Sequence, residues 1–362
     1  MIRFSGKLAL QQRVLPNYRA PFFDLLASAC DGGMSLFTGL PRPVEGIATT
    51  DKLRIADYQL GNNIHLFSGS LYLCYQIGLI DWLKNWKADA LIVEANPRYL
   101  STPAAVRWMH AHGKPVIGWG LGAGTKGKGI GVKGWAGFIH QFDGLIAYSQ
   151  RGADEYAALD FPREKIFVAH NSVAHAPAFK LDHRSSTTGH FTILFVGRLQ
   201  ERKRVDHLLK ACAQMESKPR LVIVGDGPER EKLQSLAQEI YPSAEFIGAK
   251  HGMELKPYFA EADLFVLPGT GGLAVQEAMS YGLPVIVAQG DGTQDDLVRK
   301  GNGWQIPPDD FEALVSAMKE ALSDVARLRT MGEESYRIVK EEINIEKMVE
   351  TFVTALNRLT GK

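Results

Sequence analysis

The chain has 362 residues, of which 45% are hydrophobic and 22% are charged, with 41 Lys and Arg against 40 Asp and Glu. At about 150 residues per domain, this length and composition predict two globular domains and exclude a disordered chain, while the net charge of +1 argues against a nucleic-acid binder. No apolar run is long enough to cross a membrane and no signal-peptide pattern opens the chain, so we expect a cytoplasmic protein.

The near-zero net charge hides an uneven distribution. Residues 1–180 contain 19 Lys and Arg against 13 Asp and Glu, whereas residues 181–362 contain 22 against 27. A basic half of +6 and an acidic half of −5 indicate two domains with different partners, although random surface variation is the alternative. The three cysteines, Cys30, Cys74 and Cys212, are far apart, which argues against a disulfide framework and a cysteine-built metal site, so no metal is expected.

Apolar runs alternate with helical patterns in the first half of the chain, as in a parallel sheet with crossover helices. Strands are predicted at residues 8–14, 35–37, 90–94, 116–119, 144–148 and 165–169, and helices at 21–29 and 102–112. The aperiodic segment 174–189, rich in His, Ser and Thr, follows and is the predicted linker between the domains.

The alternation restarts after residue 190. Strands are predicted at residues 191–196, 220–224, 245–247, 264–267 and 285–288, and helices at 205–215, from Glu229, and at 345–356. The pattern predicts two doubly wound α/β domains, residues 1–173 and 190–343, joined by the linker 174–189.

Two glycine-rich segments imitate nucleotide-binding loops. Residues 122–129 fit most of a nucleoside-triphosphate loop, but Gly129 replaces the Ser or Thr that would hold magnesium, and no helical pattern follows. Residues 118–123 imitate a dinucleotide fingerprint without an opening helix or a later acidic residue. A loop in which Lys126, Lys128 and Lys133 close over an anionic substrate, or are simply solvated, is the preferred interpretation.

Arg198 and Lys203 directly follow a predicted strand, at the carboxyl edge of a parallel sheet where such folds bind ligands. An arginine that bonds bidentately and a lysine with a compact charge together suit a diphosphate. The alternative is a basic surface cluster, because Arg202 and Arg204 lie beside them.

Residues 268–286 have a strand, glycine loop and helix pattern, and backbone N–H groups of such a loop favour a bound phosphate. Glu277, about one turn into this helix, can accept hydrogen bonds from the two vicinal hydroxyls of a ribose. A carboxylate that stabilises the helix dipole is the alternative.

These segments, in this order, resemble the retaining group 1 glycosyltransferases of family 4, of the polysaccharide-biosynthesis type. The resemblance rests on segments 195–199, 225–228, 246–248, 262–268, 277–286 and 301–303, with weaker likeness at 12–23 and 165–171. It implies a GT-B fold with two Rossmann-like domains facing across a cleft. It also implies that the C-terminal helix, residues 344–362, returns to the N-terminal domain.

The resemblance implies transfer of a sugar, with retention, from a nucleotide-diphosphate donor to a glycan or lipid-linked acceptor in cell-surface polysaccharide assembly. The donor would be the co-substrate, a UDP-sugar as first guess, with no metal or other cofactor. Arg198 and Lys203 would hold the diphosphate and offset the charge of the leaving group, and Glu277 would hold the ribose. The remaining implied donor contacts are Gly248, Ala249 and Lys250 near the base, and Thr270, Gly271, Gly272 and Leu273 at the phosphates.

Two positions depart from the family pattern on the sugar-facing side. Gly269 stands where the first glutamate of the Glu-x7-Glu motif is expected, and Leu121 stands where many members have a histidine. An unusual donor sugar, substitution by Glu94, Tyr18 or Arg19, or binding without turnover would each explain these losses. The alternatives to a transferase are therefore a non-catalytic nucleotide-sugar-binding subunit and a GT-B sugar epimerase.

The basic N-terminal half is the expected acceptor side, with Asn17, Tyr18, Arg19, Glu94 and Leu121 as candidate residues. Aromatic side chains accompany its cations, which would suit peripheral contact with an anionic membrane. These are Tyr18, Phe22, Phe23, Trp82, Trp86, Trp119 and Trp135. The alternative is that most of them belong to the core.

Overall fold

The computed structural model describes residues 2–124, 130–178, 191–290 and 292–362, and it excludes the side chains of residues 130–133. Lys126, Lys128 and the side chain of Lys133, like most of the predicted linker, lie outside the described residues. The chain divides into two compact units, residues 1–173 with 345–362 (unit 1) and residues 174–344 (unit 2).

Unit 1 contains a parallel sheet of seven strands in the order β3-β2-β1-β6-β7-β8-β9 and a separate antiparallel hairpin, β4-β5. The strands are β1 (Leu8–Val14), β2 (Met34–Gly39), β3 (Asp57–Leu60), β4 (Asn62–Leu66), β5 (Leu73–Ile77), β6 (Ala90–Glu94), β7 (Val116–Gly120), β8 (Gly144–Ala147) and β9 (Ile166–Val168). The central strands are buried along almost their whole length, as both faces of a parallel sheet must be when helices cover them.

In the described part of unit 1, five helices connect the strands, with short 3-10 turns at Asn17–Arg19, Pro43–Glu45, Gly69–Leu71 and Arg163–Lys165. The helices are α1 (Ala20–Ser28), α2 (Leu79–Trp86), α3 (Thr102–Ala111), α4 (Ile130–Ile139) and α5 (Gln150–Ala157). The expectation that no helix follows the glycine-rich loop was wrong, because α4 begins at Ile130. Its glycines lower helix propensity, but Phe138 and Ile139 are buried in the core, and tertiary packing decides the conformation.

Unit 2 is a parallel sheet of six strands in the order β12-β11-β10-β13-β14-β15. The strands are β10 (Thr192–Val196), β11 (Arg220–Val224), β12 (Glu245–Gly248), β13 (Leu264–Leu267), β14 (Val285–Ala288) and β15 (Gly303–Ile306). The helices are α6 (Val205–Gln214), α7 (Arg230–Ile240), α8 (Lys256–Glu261), α9 (Ala274–Ser280), α10 (Thr293–Leu297), α11 (Phe311–Ser323) and α12 (Val325–Glu341), with 3-10 turns at Glu201–Lys203 and Gly252–Leu255. The strand order reverses between β10 and β13, so the loops after these strands diverge and leave a crevice at the carboxyl edge.

The last helix, α13 (Ile345–Thr360), belongs to unit 1 although unit 2 precedes it in the chain. Its apolar stripe, from Ile345 through Phe352 to Leu356, is buried in a core that contains Phe22 and Trp119. The Phe352 ring lies 5.1 Å from the Phe22 ring and 5.0 Å from the Trp119 ring, in edge-to-face orientation. This helix therefore completes the hydrophobic core of unit 1.

The aromatic residues expected at a membrane surface lie mostly inside unit 1. Phe22, Phe23, Trp82 and Trp119 are buried, Trp86 and Trp135 are partly buried, and Tyr18 is exposed. The indole N–H of Trp82 donates to Ser35 and that of Trp86 donates to the Leu8 carbonyl. The alternative that these aromatics belong to the core is therefore correct for most of them, because their rings are buried or partly buried.

Among the described residues, no helix is long and apolar enough to cross a membrane. Within the same residues, no cluster of three or more His, Cys, Asp and Glu side chains could hold a metal ion.

Removal of the Phe352 ring tests the role of α13. Phe352→Ala leaves a cavity among Phe22 and Trp119, and we expect a loss of about 3–5 kcal/mol in the free energy of unfolding, measured in urea. Thr354→Ala on the exposed face of the same helix is the matched control and should change stability by less than about 0.5 kcal/mol. Equal effects of the two substitutions would contradict the packing described here.

Candidate active site

The carboxyl edge of the sheet in unit 2 is built from glycine loops that pack backbone against backbone. A Cβ at Gly225 would overlap the carbonyl oxygen of Gly197, and one at Gly227 would overlap that of Leu199. The amides of Gly197 and Leu199 donate to the carbonyls of Val224 and Asp226 at 3.0 and 2.9 Å. Only glycine allows this approach, and it brings the loops after β10 and β11 together into one edge.

Lys203 is the most firmly positioned of the predicted donor residues. It is buried at the end of the turn Glu201–Lys203, and its ammonium donates to the carbonyl oxygens of Thr270, at 2.8 Å, and Gly271. The structure therefore brings Lys203 onto the glycine loop between β13 and α9, 67 residues later in the chain. The sequence analysis assigned Lys203 and this loop to the same donor site, and the structure brings the two into contact.

Arg198 lies in the same edge, in the loop that directly follows β10, and is exposed to solvent. Two backbone hydrogen bonds of the neighbouring Leu199 hold the loop in place. Its amide donates to the Asp226 carbonyl at 2.9 Å, and its carbonyl accepts from the Glu229 amide at 3.1 Å. Its predicted role at the diphosphate requires a guanidinium that can reach solvent, and its position meets that requirement.

Glu277 lies in the first turn of α9, at the far end of the glycine loop. Burial raises the pKa of its carboxyl above the ordinary value. In the part of unit 2 that the structure describes, this carboxylate has no hydrogen-bond or ion-pair partner. A partly buried carboxylate of this kind is well suited to accept hydrogen bonds from ligand hydroxyls, because only a ligand would compensate its lost hydration.

The loop from Gly269 to Gly272 has no room for a side chain at position 269. A Cβ at Gly269 would overlap the carbonyl oxygen of Arg202 and would lie 2.5 Å from the Cα atom of Lys203. The amide of Thr270 donates to the same Arg202 carbonyl at 3.0 Å. The turn that carries Lys203 therefore passes directly over position 269, and no larger side chain fits there without displacing it.

The predicted base-binding segment, Gly248 to Lys250, follows β12 at the same edge. Gly248 has a φ of +85° and its carbonyl accepts from the Gly225 amide at 2.9 Å, while Lys250 pairs with Glu254 at 3.5 Å. The sequence analysis missed Arg230, which lies beside Gly248 and pairs with Asp226 at 3.1 Å. The sequence did contain a signal for Arg230, because the turn of residues 225–228 leads directly into the charged helix α7, which begins at Arg230.

The candidate acceptor residues all belong to unit 1, and they are not equivalent. Tyr18 and Leu121 are exposed, whereas Arg19 is buried. The Arg19 guanidinium donates to the Asn171 side chain and, at 3.3 Å, to the Ser172 carbonyl, and it lies 5.5 Å from the Trp119 ring. These contacts fix the segment where the chain leaves unit 1, which makes Arg19 a positioning residue for that segment.

Glu94 ends β6 inside a polar pocket of unit 1. Its carboxylate accepts from the Arg13 amide at 2.7 Å, and burial raises its pKa to about 7. Its own amide donates to the Gln11 side chain at 3.2 Å. The side chain is therefore a carboxyl group that titrates near neutral pH, at the carboxyl edge of the sheet in unit 1.

A cavity of about 520 Å³ lies in unit 1 and includes Asn17 in its wall. Polar and apolar side chains share its lining, which consists of Asn17, Ala20, Leu40, Thr49, Thr50, Asp51, Lys52, Tyr58 and Leu60. A cavity of this size and mixed lining can hold one sugar residue with part of an apolar substituent.

Two α/β units, each built on a parallel sheet covered by helices, are the architecture of the GT-B class. The family model described as glycosyl transferases group 1 matches residues 180–338. Over these residues, the match confirms the resemblance inferred from the sequence.

Curated relatives match about half of the chain. A GDP-mannose-dependent alpha-mannosyltransferase of Mycobacterium tuberculosis is 36% identical over 188 residues, 49% of this chain and 48% of the relative. The putative colanic acid biosynthesis glycosyltransferase WcaL of Escherichia coli is 28% identical over 199 residues, 49% of this chain and 47% of the relative. The alignments thus span about half the length of these relatives.

Solved structures match almost the whole chain. Anabaena HepE in complex with UDP has a TM-score of 0.72 at 15% identity, covering 97% of this chain and 99% of that one. The sucrose-phosphate synthase of Thermosynechococcus elongatus has a TM-score of 0.71 at 17% identity, covering 98% and 99%. These likenesses confirm the predicted GT-B fold.

Substitution of Gly269 tests the close packing of the glycine loop. Gly269→Ala forces a methyl group against the Arg202–Lys203 backbone, and we expect the free energy of unfolding to fall by about 1–3 kcal/mol. Gly301→Ala is the matched control, because a Cβ there would meet only the Glu334 side chain, at 3.5 Å. If both variants unfold at the same urea concentration, the loop does not have the packing described.

Glu94 predicts a pH dependence of stability. Because burial raises its pKa from 4.5 to about 7, the folded chain keeps a proton that the unfolded chain releases between these values. Stability from this group is therefore present at low pH and lost as pH rises through 7.

Glu94→Gln removes this loss, so the variant should gain stability relative to wild type between pH 5 and pH 8, measured by urea unfolding. Glu164→Gln, at an exposed position of unit 1, controls for the amide substitution itself. A relative stability of Glu94→Gln that is constant over this range would contradict the raised pKa.

Proposed function

We propose that the protein is a retaining glycosyltransferase that moves a sugar from a nucleotide-diphosphate donor to a glycan or lipid-linked acceptor. The observation that carries the proposal is the carboxyl edge of unit 2. There the ammonium of the buried Lys203 donates to the glycine loop that leads to the partly buried Glu277 carboxylate. This combination matches a diphosphate with an attached ribose.

The chemistry is stabilisation of a leaving group. In the reaction the bond between the sugar and the distal phosphate breaks, and the nucleoside diphosphate departs with additional negative charge. Arg198 and Lys203 offset that charge, and the amides of the loop at Gly272 and Leu273 donate to the phosphate oxygens. The departing phosphate accepts the proton of the acceptor hydroxyl, so the missing glutamate at 269 does not prevent transfer.

The donor is proposed to be a nucleoside-diphosphate sugar without a further cofactor. The UDP and UDP-glucose complexes of the structural neighbour HepE support UDP as the first candidate. The names of the mannosyltransferase relatives, which specify GDP-mannose, support GDP as the second. Gly248, Ala249 and Lys250 are the proposed base-binding residues, with Arg230 beside them.

The acceptor is proposed to bind in unit 1, in the cavity that includes Asn17. Relatives named for colanic acid biosynthesis support a role in cell-surface polysaccharide assembly. The proposed location is the cytoplasmic face of the membrane, where a lipid-linked acceptor is presented. The net positive charge of unit 1 favours such a surface.

The second candidate is a subunit that binds a nucleotide sugar without turning it over, because Gly269 leaves the sugar-facing side of the loop without a carboxylate. A thermal-shift screen with UDP-, GDP-, dTDP- and ADP-sugars identifies the donor, since a ligand of the folded state raises apparent stability. Release of the nucleotide from that donor then separates the candidates, because a binding subunit releases none.

Loss of the Arg198 guanidinium tests the transferase assignment. Arg198→Ala should cost about 2–5 kcal/mol of transition-state stabilisation, a fall of at least about 30-fold in nucleotide release from the identified donor. Arg329→Ala, at an exposed position of α12, is the matched control and should retain wild-type release. Wild-type turnover in Arg198→Ala would overturn the assignment.

A further inference from the structure

The hairpin β4-β5 has its apolar side chains on the outside. Ile64 and Leu66 of β4 and Tyr75 and Ile77 of β5 are between 37% and 46% exposed. Ile64 lies directly opposite Tyr75, so these four side chains share one solvent-facing surface of the two-stranded sheet. We call them, together with Phe67 and Leu71 at the tip, the hairpin face.

The inward side of the hairpin is polar. Gln76 is buried, where its amide donates to the Asn63 side chain at 2.9 Å and to the Gln12 carbonyl at 3.1 Å. Asn63 donates to the carbonyls of Arg13, at 2.8 Å, and Leu40, at 3.0 Å. A shift of one residue would exchange the two sides, so this network fixes the register that turns the apolar side outward.

The tip of the hairpin is the most exposed apolar part. Phe67 and Leu71 are 70% and 72% exposed, on either side of Ser68, Gly69 and Ser70. From residue 58 to residue 80 the sequence contains no Asp, Glu, Lys or Arg. An uncharged apolar surface of this extent on a folded protein indicates a binding partner.

The inward side of the hairpin contacts the wall of the cavity in unit 1. Leu40 and Leu60 line the cavity and are themselves more than 45% exposed. The Leu40 carbonyl accepts from Asn63 and contacts the His65 ring at 3.1 Å, so the cavity wall and β4 are joined directly. The hairpin and the cavity are therefore adjacent parts of unit 1.

We propose that the hairpin face is a docking surface for an anionic lipid bilayer, with the tip at Phe67 and Leu71 inserted between the headgroups. Unit 1 has 21 Lys and Arg against 15 Asp and Glu, a net charge of +6, which attracts an anionic membrane and opposes pairing with a second copy of the same unit. The apolar tip and the positive charge together supply the two signals that stable peripheral binding requires.

This docking surface rests on the proposed function for its purpose, because it would place the cavity of unit 1 at the membrane surface where a lipid-linked head group emerges. The binding itself requires no sugar transfer. It is measured with the full chain and vesicles, without donor or acceptor. The result of the vesicle assay can therefore be interpreted even if the protein transfers no sugar.

The test is cosedimentation of the full chain with vesicles of phosphatidylcholine and phosphatidylglycerol, at low and high salt, beside vesicles of phosphatidylcholine alone. Wild type should bind the anionic vesicles, less at high salt, and bind the neutral ones weakly. The double variant Phe67→Ser, Leu71→Ser should lose about tenfold or more in partitioning, because it removes the inserted apolar groups.

The matched control is Met253→Ser, which replaces an equally exposed apolar side chain (78%) in unit 2 and should bind vesicles like wild type. Melting temperatures of all three chains confirm that they are folded, and donor hydrolysis without vesicles should be the same in the double variant and wild type. Equal vesicle binding by the double variant and wild type would overturn the proposal.

Insertion of the tip is read separately with Phe67→Cys carrying an environment-sensitive dye. The native cysteines Cys30, Cys74 and Cys212 are buried, so the new thiol is labelled selectively. A blue shift with anionic vesicles supports insertion. A dye signal that does not change with vesicles would overturn the proposal. A wild-type dimer in sedimentation velocity that is absent in the double variant would also overturn it, and would assign the face to a second copy.

Discussion

The candidate donor site depends on one steric constraint, the contact between the glycine loop at 269–272 and the turn at Arg202–Lys203. The Arg202 carbonyl accepts from the Thr270 amide, and Lys203 reaches over the loop to the carbonyls of Thr270 and Gly271. This contact joins the loop after β10 to the loop after β13, across the point where the strand order reverses. It holds the lysine ammonium on the glycine loop, and it also removes the space for a side chain at 269.

The same constraint changes the meaning of the missing glutamate. In the sequence, Gly269 is a lost functional group, and it favours an unusual sugar or a protein without activity. In the structure, a side chain at 269 would collide with the backbone that carries Lys203, so Gly269 also has a packing role.

In unit 1, the buried Arg19 has a comparable structural role, since it fixes Asn171 and Ser172 where the chain leaves the unit.

Much of the fold was predictable because its strands are short apolar runs bounded by turn residues. Strands β6, β11, β13 and β14 begin and end at the predicted residues. The hairpin β4-β5 was missed because its alternation is inverted, with apolar residues facing solvent and polar ones facing the protein. Helix α4 was missed because its glycines conceal a pattern that only the packing of Phe138 and Ile139 reveals.

The sequence by itself determined the family, the two α/β units and the residues that belong at the carboxyl edge of unit 2, because glycine loops and cations leave local signals after each strand. Tertiary structure alone decided which candidates meet. It placed Lys203 on a loop 67 residues away, buried Arg19, gave Glu94 a pKa of about 7 by desolvation, and moved the apolar surface from the aromatic residues to the hairpin face. Burial and long-range contacts depend on how distant segments pack, and no local pattern contains that information.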